Sequence, residues 1–506
     1  MSRVRGNLLA NLFGNAWTAL IMLLCTPFYT TIMGIEAFGL VGFFLTVNAI
    51  ANSLGAGLAN ALNRELARLS ALAGKGQEMR NLTRTLEVVY WLLAAASGLL
   101  VFLGAPLIGH HWVHAKALSA DLITQAVMLL GLALGLQFPC AFYSGGLIGL
   151  QRQTLLAVVN IVMNSLRFLG AVGVLWWLSP TIQAFFLWQA GVSAAHALTL
   201  ALCVWRSLPP TERPAAVRRD VLGPLWRFVL GATGISLAAL GLTQLDKVLL
   251  SHLLDLEAYG YYMLAYMAAI GLYVITGAVY TTFLPQFTQR VCLNEQQQLV
   301  EQYHLGSQIM AVLLVSTAAV AAVFSRELLF VWTGDPVKAE KAHLVLSLLL
   351  AGNALNGLVN LPYALQLAHG CTSLALVMNL AAMVLMIPLI VGMTMAFGPV
   401  GAAGVWVTLN VFYVLVGVGI THRRFLPGQS ARWYVHGVLV PLAASAGVTL
   451  AARGIVPADL GRWAMLGCLA AVGLVCLSAT TLAAPEVRRT LLLYLRRRTV
   501  ARDAAG

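Results

Sequence analysis

Apolar segments of roughly bilayer-spanning length recur along this chain from one end to the other. A helix needs about 20 mostly apolar residues to cross the hydrocarbon core, and it satisfies its own backbone groups there. Only 10% of the residues are charged, against about 25% in soluble domains. The pattern predicts an all-α integral membrane protein with about fourteen transmembrane helices. The spans are expected near residues 8–30, 38–62, 86–108, 122–150, 154–178, 181–205, 226–252, 258–282, 305–325, 343–368, 373–395, 400–421, 433–452 and 462–484.

Lysine and arginine are distributed unequally between the loops that these spans imply. About 22 fall on the side of the N-terminus and about 7 on the other side, and basic residues accumulate in cytoplasmic loops. This asymmetry predicts a multi-pass protein of the bacterial inner membrane with both termini in the cytoplasm. It also explains the net charge of +13 without a nucleic-acid partner. The seven cysteines form no CxxC or Cys/His cluster, so neither a metal site nor a disulfide framework is predicted. No cofactor is expected.

A short motif occurs twice, at the start of the second and of the eighth predicted span. Residues 34–39 read GIEAFG, and residues 255–260 read DLEAYG, 221 positions later. Two further pairs at nearly the same offset are Asn160 with Asn379 and Pro139 with Pro362. Because six spans form one copy, both copies enter the membrane from the same side. They are therefore predicted to be parallel six-helix lobes, related by an axis along the membrane normal.

The repeat divides the chain into five predicted parts. These are an N-terminal lobe at 1–205, a cytoplasmic linker at 206–225, a C-terminal lobe at 226–425, two additional helices at 426–485 and a basic cytoplasmic tail at 486–506. Glu36 and Glu257 follow the start of each motif, where a carboxylate suits the positive end of a helix dipole. The longest external loop, near 326–341, is too short to hold an extramembrane catalytic site. We therefore expect a transporter with no catalytic residues.

Asparagines occur at helical spacing inside several predicted spans. The groups are Asn48 with Asn52, Asn160 with Asn164 and Arg167, and Asn353 with Asn356 and Asn360. Each spacing places its side chains on one side of a helix. Such amides either hydrogen-bond to neighbouring helices or line a hydrated cavity, where they can both donate to and accept from sugar hydroxyls. Asn52, Asn164, Asn356 and Asn360 are candidate substrate-binding residues on the second interpretation.

The charged residues of the fifth and seventh predicted spans are the most telling, because charge inside the membrane is costly and usually functional. Arg167 is deep in the fifth span, Asp246 and Lys247 lie near the outer end of the seventh, and Arg227 lies near its inner end. The sum is positive, which suits an anionic ligand such as a pyrophosphate. Neutralisation by a carboxylate on another helix is the alternative. Asp246 is interpreted as the only acid well inside the two repeats and as a candidate for ion coupling; it need not pair with Lys247, since adjacent helical residues point apart.

Three segments resemble a known transporter family. They are Asn11, Asn15, Pro27, Gly34 and Phe38-Gly39 at the start; residues 243–247 (TQLDK) with 259–262 (YGYY) and Ala265; and residues 329–334 (LFVWTG). They are similar to the first helix region, the start of the second half and the turn after the ninth helix of Wzx-type lipid-linked oligosaccharide flippases. These O-antigen and polysaccharide translocases belong to the multidrug/oligosaccharidyl-lipid/polysaccharide exporter (MOP) superfamily. The resemblance extends over about residues 5–425.

The resemblance implies alternating-access flipping of an undecaprenyl-pyrophosphate-linked oligosaccharide from the cytoplasmic to the periplasmic leaflet, for surface polysaccharides such as the lipopolysaccharide O-antigen. By this resemblance, Arg167 and Lys247 are the residues expected to contact the pyrophosphate. Implied partners are membrane lipids, a polysaccharide polymerase and chain-length proteins. A fourteen-helix count is shared with peptidoglycan-precursor flippases, so that substrate remains an alternative. A drug/cation antiporter of the same superfamily is another, and a polysaccharide polymerase or ligase is an alternative of a different class.

Overall fold

The structure is a computed structural model that describes residues 2–218, 220, 222–371, 373–457 and 460–493. Side chains are described from residue 14 onward, except those of residues 15, 222, 224, 238, 239 and 242. The side chains of Asn11 and Asn15 and the tail beyond residue 493 therefore lie outside the description. Helix is the only extended secondary structure in the described ranges, apart from one isolated β-bridge between His114 and Asp255.

The described residues form fourteen long helices in chain order. These are α1 (Ser2–Ile32), α2 (Ile35–Ser70), α3 (Gly76–Trp112), α4 (Ala120–Gly149), α5 (Gln153–Leu178), α6 (Ile182–Ser207), α7 (Leu222–Leu253), α8 (Leu256–Cys292), α9 (Gln296–Val323), α10 (Pro336–Ala368), α11 (373–397), α12 (399–425), α13 (Ser430–Ile455) and α14 (Arg462–Ala483). A short helix, Ser325–Thr333, lies between α9 and α10.

The helices match the predicted spans in number. Eleven segments are long and apolar enough to cross a bilayer, and two shorter apolar stretches, Ala16–Ile32 and Leu225–Leu237, lie in α1 and α7. One of the eleven, Ser373–Phe425, is divided at Gly398, whose φ of 60° is left-handed. Glycine adopts such a φ at little steric cost, and Pro399 follows it. The described chain is thus a multi-pass membrane protein, and the predicted all-α fold is confirmed; a kink replaces the loop expected between the eleventh and twelfth spans.

Several helices are longer than the spans that hydropathy predicts. α2 has 36 residues and α3 has 37, which at 1.5 Å per residue is about 54 Å, whereas the hydrocarbon core is about 30 Å thick. The additional turns of α2 carry Arg64 and Arg68, and Glu65 forms ion pairs with both. Helix therefore continues into the aqueous phase, where hydropathy gives no signal for it.

Polar caps fix several helix starts outside the apolar segments. The Ser119 side chain accepts a hydrogen bond from Leu122 N at the start of α4, and Asp335 accepts from Val337 N and Lys338 N at the start of α10. Partial burial acts to raise the pKa of Asp335, but hydrogen bonds from the Lys338 backbone and side chain outweigh it and lower that pKa. Such caps satisfy the free N–H groups of a first helical turn.

The first of two compact units comprises Met1–Gly260. In this unit α2 packs along α7, α4 packs against α3 and α6, and α1 packs against α5. Its buried core includes Leu62, Leu86, Phe142 and Leu200. α7 belongs to this unit because it packs on α2, whereas the sequence repeat assigns α7 to the predicted lobe at 226–425. The lobe boundaries drawn from the repeat stay a prediction.

The second unit comprises Tyr261–Gly506. Here α10 packs against α9, against the second half of α8 and against the helices on both sides of Gly398. α13 and α14 pack on each other and on α9. Arg453 of α13 forms an ion pair with Glu327, a buried residue of the short helix. The two helices that lie outside the sequence repeat are therefore attached to this unit by both apolar packing and a charged contact.

The two copies of the repeated motif contact each other within the first unit. A Cβ added to Gly39 would lie 2.7 Å from the carbonyl oxygen of Leu256, and one added to Gly260 would lie 2.3 Å from the carbonyl oxygen of Ile35. Ile35 and Leu256 occupy equivalent positions in the two copies, as do Gly39 and Gly260. The contact is therefore reciprocal, as it is across a twofold axis. Glycine is needed at both places because backbone meets backbone.

Glu36 holds the loop between α3 and α4. Its carboxylate accepts hydrogen bonds of 3.0–3.2 Å from the backbone N–H groups of Lys116, Ala117 and Leu118. The Lys116 ammonium donates to Asp255 at 2.6 Å, and this hydrogen bond raises the pKa of Lys116. The position at a helix entry was expected to stabilise α2 through its dipole. The structure gives Glu36 a more specific structural role, in which one carboxylate satisfies three backbone donors.

Candidate functional site

Arg167 is buried inside the first unit. It lies in the middle of α5 with only 5% of its surface exposed. One terminal nitrogen of the guanidinium donates to Gln137 Oε1 of α4. Nε and the other terminal nitrogen have no hydrogen-bond partner. Among the described residues Arg167 forms no ion pair. A buried charge without a countercharge costs several kcal/mol, roughly, and is therefore seldom retained for stability alone.

The groups near Arg167 are neutral and polar. Ser193 Oγ donates to Gln137 Oε1 at 3.4 Å, so α4, α5 and α6 meet at one amide. One turn earlier in α5, Asn164 Nδ2 donates to Thr18 Oγ1 of α1 at 3.1 Å. This contact is of the kind expected if the asparagines hydrogen-bond to neighbouring helices, and a substrate-binding role for Asn164 stays a prediction. Chemically, the arrangement is a positive charge surrounded by hydrogen-bonding groups that do not neutralise it.

Lys247 and Asp246 pair with each other, although their adjacent positions on a helix do not require it. Lys247 Nζ lies 3.0 Å and 3.2 Å from the two Asp246 carboxylate oxygens and also donates to Thr243 O at 2.8 Å. The long lysine side chain folds back along α7 and so reaches these groups. The angle between the Cβ atoms of adjacent residues does not predict this, because it takes no account of side-chain rotamers. Asp246 thus holds a neighbouring cation in place, whereas Arg167, the other buried cation of these spans, forms no ion pair among the described residues.

This pair gives a prediction for a double-mutant cycle. Asp246→Asn and Lys247→Met should each destabilise the protein by more than the two changes together, because each single change leaves a buried charge without its countercharge. We expect a coupling free energy of about 1–3 kcal/mol in thermal unfolding of the purified protein. Additive single effects would show that the pair contributes nothing. Unchanged dependence of transport on the proton or sodium gradient in Asp246→Asn would exclude ion coupling through this carboxylate.

Arg227 and Asn52 occupy less defined positions. Arg227 is exposed near the start of α7, and Asn52 is half-buried on α2. No hydrogen bond or ion pair joins either side chain to Arg167 among the described residues. On α2 a related amide, Asn48, has a buried Oδ1 with no partner. A role for Arg227 and Asn52 in binding stays a prediction.

The second unit contains an open pocket of about 180 Å³ between α10, α11 and α12, which leaves room for several water-sized groups. Asn356 and Asn360 line it, and their role in substrate binding stays a prediction. The other polar side chains that line it are Tyr363, Gln366, Asn379, Tyr413 and Thr421. None of the residues that line this pocket is charged.

The repeated asparagine makes a similar contact in each unit. In the first unit, Asn160 Oδ1 of α5 lies 3.1 Å from His196 Nε2 of α6. In the second, Asn379 Oδ1 of α11 accepts a 3.0 Å hydrogen bond from the Tyr413 hydroxyl of α12. Asn160 and Asn379 are 219 positions apart, and His196 and Tyr413 are 217 apart. The fifth and sixth helices of each copy are therefore joined by the same kind of polar contact.

A second pair of contacts follows the same offsets. Gln137 of α4 accepts from Ser193 of α6 in the first unit, and Asn356 of α10 donates to Asn410 of α12 at 2.9 Å in the second. Gln137 and Asn356 are again 219 positions apart, and Ser193 and Asn410 are 217 apart. Two polar contacts at matching offsets support the internal repeat beyond the motif that first indicated it. Superposition of the two copies stays a prediction.

Glu87 is a buried carboxylate that the sequence interpretation missed. Glu87, near the start of α3, is 5% exposed, accepts hydrogen bonds from Tyr143 at 2.6 Å and Trp205 at 3.1 Å, and pairs with Arg84 at 2.8 Å. Asp246, whose side chain is 19% exposed, is therefore not the only acid inside the repeats, and it is less buried than Glu87. Glu87 lies at the edge of an apolar segment, where an acid is ordinarily taken as solvated. Its contact with Arg84 means that it does not neutralise Arg167.

Comparison with known proteins places this geometry in a family. A model of the family described as polysaccharide biosynthesis protein matches residues 4–291, more than half of the chain. No curated protein sequence matches. Among solved structures, the lipid II flippase MurJ in an inward closed conformation is 11% identical, with a TM-score of 0.74 over 94% of this chain and 98% of that one.

Two further solved structures share the fold. An inward-facing multidrug resistance MATE family transporter of the MOP superfamily is 14% identical, with a TM-score of 0.66 over 80% of this chain and 94% of that one. A MOP superfamily transporter from Pyrococcus furiosus Vc1 is 16% identical, with a TM-score of 0.57 over 84% of this chain and 95% of that one. At these identities the likeness shows the fold alone. The chain has the helical fold of these transporters, and by its family match it belongs to the polysaccharide biosynthesis protein family.

Proposed function

We propose that this protein is a flippase, not an enzyme, that moves an undecaprenyl-pyrophosphate-linked oligosaccharide from the cytoplasmic to the periplasmic leaflet of the bacterial inner membrane by alternating access. The product would supply assembly of a surface polysaccharide such as an O-antigen. Family membership and the transporter fold support a membrane transport role in polysaccharide synthesis. The observation that carries the substrate class is Arg167, a buried guanidinium with neutral neighbours and two nitrogens free of hydrogen bonds.

The sign of the embedded charge separates this function from cation export. A transporter for organic cations needs carboxylates in its binding region. In this protein Asp246 forms an ion pair with Lys247, and Glu87 forms one with Arg84. An uncompensated guanidinium instead favours a phosphate group, which it can bind through two parallel hydrogen bonds. The Pyrococcus furiosus transporter is itself described as having a binding pocket of reversed polarity that suggests a different function. Pocket polarity is thus a reasonable discriminator within this fold.

Arg167 is the leading contact for the pyrophosphate in this proposal. Because the side chain is 5% exposed, the phosphate would reach it in a conformation more open than the one described, either directly or through water. Lys247 is a weaker candidate than the sequence suggested, since Asp246 already accepts its hydrogen bonds. Asn52, Asn164 and Arg227 are the further contacts of the substrate in this proposal. MurJ, named for lipid II, has the same fold, and a peptidoglycan precursor is the second candidate substrate.

The proposal is tested by depleting the protein in its host and locating the lipid-linked glycan. We expect surface polysaccharide to disappear while undecaprenyl-pyrophosphate-linked oligosaccharide accumulates on the cytoplasmic leaflet. Accumulation of single repeat units on the periplasmic side would instead indicate a polymerase or ligase. Normal surface glycan together with lost tolerance of a lipophilic cation, such as tetraphenylphosphonium, would indicate a cation exporter. Cell lysis with intact surface glycan would favour a peptidoglycan precursor as the substrate.

A further inference from the structure

We propose that the pocket between α10, α11 and α12 is a neutral glycan subsite, which binds an uncharged sugar of the lipid-linked substrate. This inference rests on the proposed function and adds a second binding site, of different chemistry, to Arg167. The pocket is partly open to its surroundings and is lined chiefly by amides, phenols and a threonine hydroxyl. Its volume of about 180 Å³ leaves room for a group of several heavy atoms, such as one sugar ring.

The lining matches the chemistry of a sugar. Hydroxyl groups both donate and accept hydrogen bonds, and an amide side chain does the same with its nitrogen and oxygen. Asn360 Nδ2 donates to Asn356 O at 2.9 Å, and within the described chain its Oδ1 accepts no hydrogen bond. Val359 and Pro362 provide apolar surface beside these amides. A sugar ring presents both kinds of surface, hydroxyl edges and apolar C–H faces.

Gln366 supplies an observation that independently points to a ligand. The side chain is 5% exposed, and its Nε2 donates to Thr421 Oγ1 at 2.7 Å. Its Oε1 is buried and has no hydrogen-bond partner. An unsatisfied buried acceptor costs about 1–3 kcal/mol, so native structures rarely leave one without a use. A hydroxyl group in the pocket that Gln366 lines would satisfy it.

The first unit shows why this pocket is distinct. Both units have the same polar contacts between their fourth, fifth and sixth helices, as described above. At the position of Arg167 in α5, the residue 219 positions later in α11 is Met386, which is also buried. Met386 does not line the pocket, whose α11 residues, Ala375, Met378 and Asn379, lie two to three turns earlier. The position equivalent to the buried cation is therefore apolar in the second unit, and the pocket of that unit has an uncharged lining. We infer a division of roles in which the first unit binds phosphate and the second binds sugar.

A lipid acyl chain is the competing occupant. An acyl chain offers no hydrogen bonds, so it would leave the amides of Asn360 and Gln366 unsatisfied in a low-dielectric site, and burial of such groups is unfavourable. The polar lining therefore favours a sugar over a hydrocarbon chain. The experiment below treats acyl-chain binding as an outcome that overturns the proposal.

The test compares the affinities of purified protein for undecaprenyl pyrophosphate and for the same lipid carrying glucose, galactose or N-acetylglucosamine. Asn360→Leu and Gln366→Leu remove amides from the pocket, and Ala375→Phe fills it without removing a hydrogen-bonding group. Gln297→Leu, an exposed amide of α9 in the same unit, is the matched control. Thermal unfolding of each variant reports whether it is folded.

We expect the wild-type protein to bind at least one sugar-bearing lipid about tenfold more tightly than the bare lipid, as one or two good hydrogen bonds would give. The three pocket variants should lose most of this preference with unchanged affinity for the bare lipid. Loss of affinity for both lipids alike would assign the pocket to an acyl chain and overturn the proposal. A wild-type protein without any preference for the sugar-bearing lipids, or pocket variants that all keep it, would also overturn it.

A separate arm distinguishes failure of this inference from failure of the proposed function. Arg167→Ala should weaken binding of bare and sugar-bearing lipids equally, because both carry the pyrophosphate. If the wild-type protein binds no pyrophosphate lipid at all, the flippase proposal fails and this inference fails with it. If it binds them all through Arg167 but without discrimination between sugars and the bare lipid, only the glycan subsite is wrong.

Discussion

Replacing Arg167 with leucine is expected to abolish glycan flipping while leaving the protein at least as stable as the wild type. The guanidinium is buried without a countercharge. Replacement of a buried charged group by an apolar residue of similar volume is often neutral or stabilising. Loss of the phosphate contact, in contrast, removes charge-assisted hydrogen bonds of about 1.5–3 kcal/mol each, which for two bonds corresponds to roughly a hundredfold or greater loss of affinity.

The measurements are surface glycan, lipid-linked oligosaccharide on the cytoplasmic leaflet and the thermal midpoint of the purified variant. Arg167→Lys should retain part of the activity, since an ammonium attracts phosphate but cannot bind it through two parallel hydrogen bonds. Arg423→Ala, an exposed arginine at the end of α12, is the control and should flip normally. A stable Arg167→Leu protein with normal surface glycan would show that the buried guanidinium does not bind the substrate. A marked fall in the thermal midpoint would assign Arg167 a structural role instead.

The second large effect is expected from adding a single methyl group at Gly260. A Cβ there would lie 2.3 Å from the carbonyl oxygen of Ile35, so the backbones of α2 and α8 must separate to admit it. Overpacking of this kind costs about 1–3 kcal/mol and sometimes more. In the absence of a clash, replacing glycine with alanine stabilises a helix by about 1 kcal/mol. A loss of stability would therefore identify the steric effect.

Thermal unfolding of Gly260→Ala and Gly39→Ala should therefore show a lower midpoint for both. Gly191→Ala is the matched control, because Gly191 lies within α6 with no atom within 4 Å of its added Cβ. That variant should be unchanged or slightly more stable. Equal behaviour of all three alanine variants would mean that the motifs are not held in backbone contact in the membrane. The double variant Gly39→Ala, Gly260→Ala should cost less than the sum, since one separation of the helices relieves both clashes.

The apolar periodicity predicts the number of helices well and their lengths poorly. Each span of about 20 apolar residues becomes a helix because the bilayer requires it. The aqueous turns of α2, with Arg64 and Arg68, carry no such requirement, so helix and loop cannot be told apart there by hydropathy. Gly398-Pro399 was interpreted as a loop for a similar reason. Glycine followed by proline interrupts a helix, and the same local sequence is found both at a kink between packed helices and in a solvent loop.

The sequence indicated residues to consider but not the contacts that they make. Burial of Arg167 follows from its position in an apolar segment. The asparagine spacing drew attention to Asn356 and Asn360, which line a pocket and whose part in binding stays a prediction. The pairing of Lys247 with Asp246 depends on side-chain rotamers, which spacing along a helix does not determine. The contribution of Gln366 depends on α12 lying beside α10, and a single sequence without tertiary contacts does not indicate which helices are neighbours.

The reciprocal glycine contact has a consequence for how such a chain can change over generations. Each copy of the motif is the surface against which the other copy packs, with Gly39 facing Leu256 and Gly260 facing Ile35. If the two halves descend from one duplicated gene, these four positions could not have diverged independently, because a side chain gained in one half would collide with the backbone of the other. The remaining positions were free to differ, and a cation could arise at residue 167 while methionine came to occupy residue 386. The shared crossing would preserve the fold while the interiors of the two halves acquired different chemistries.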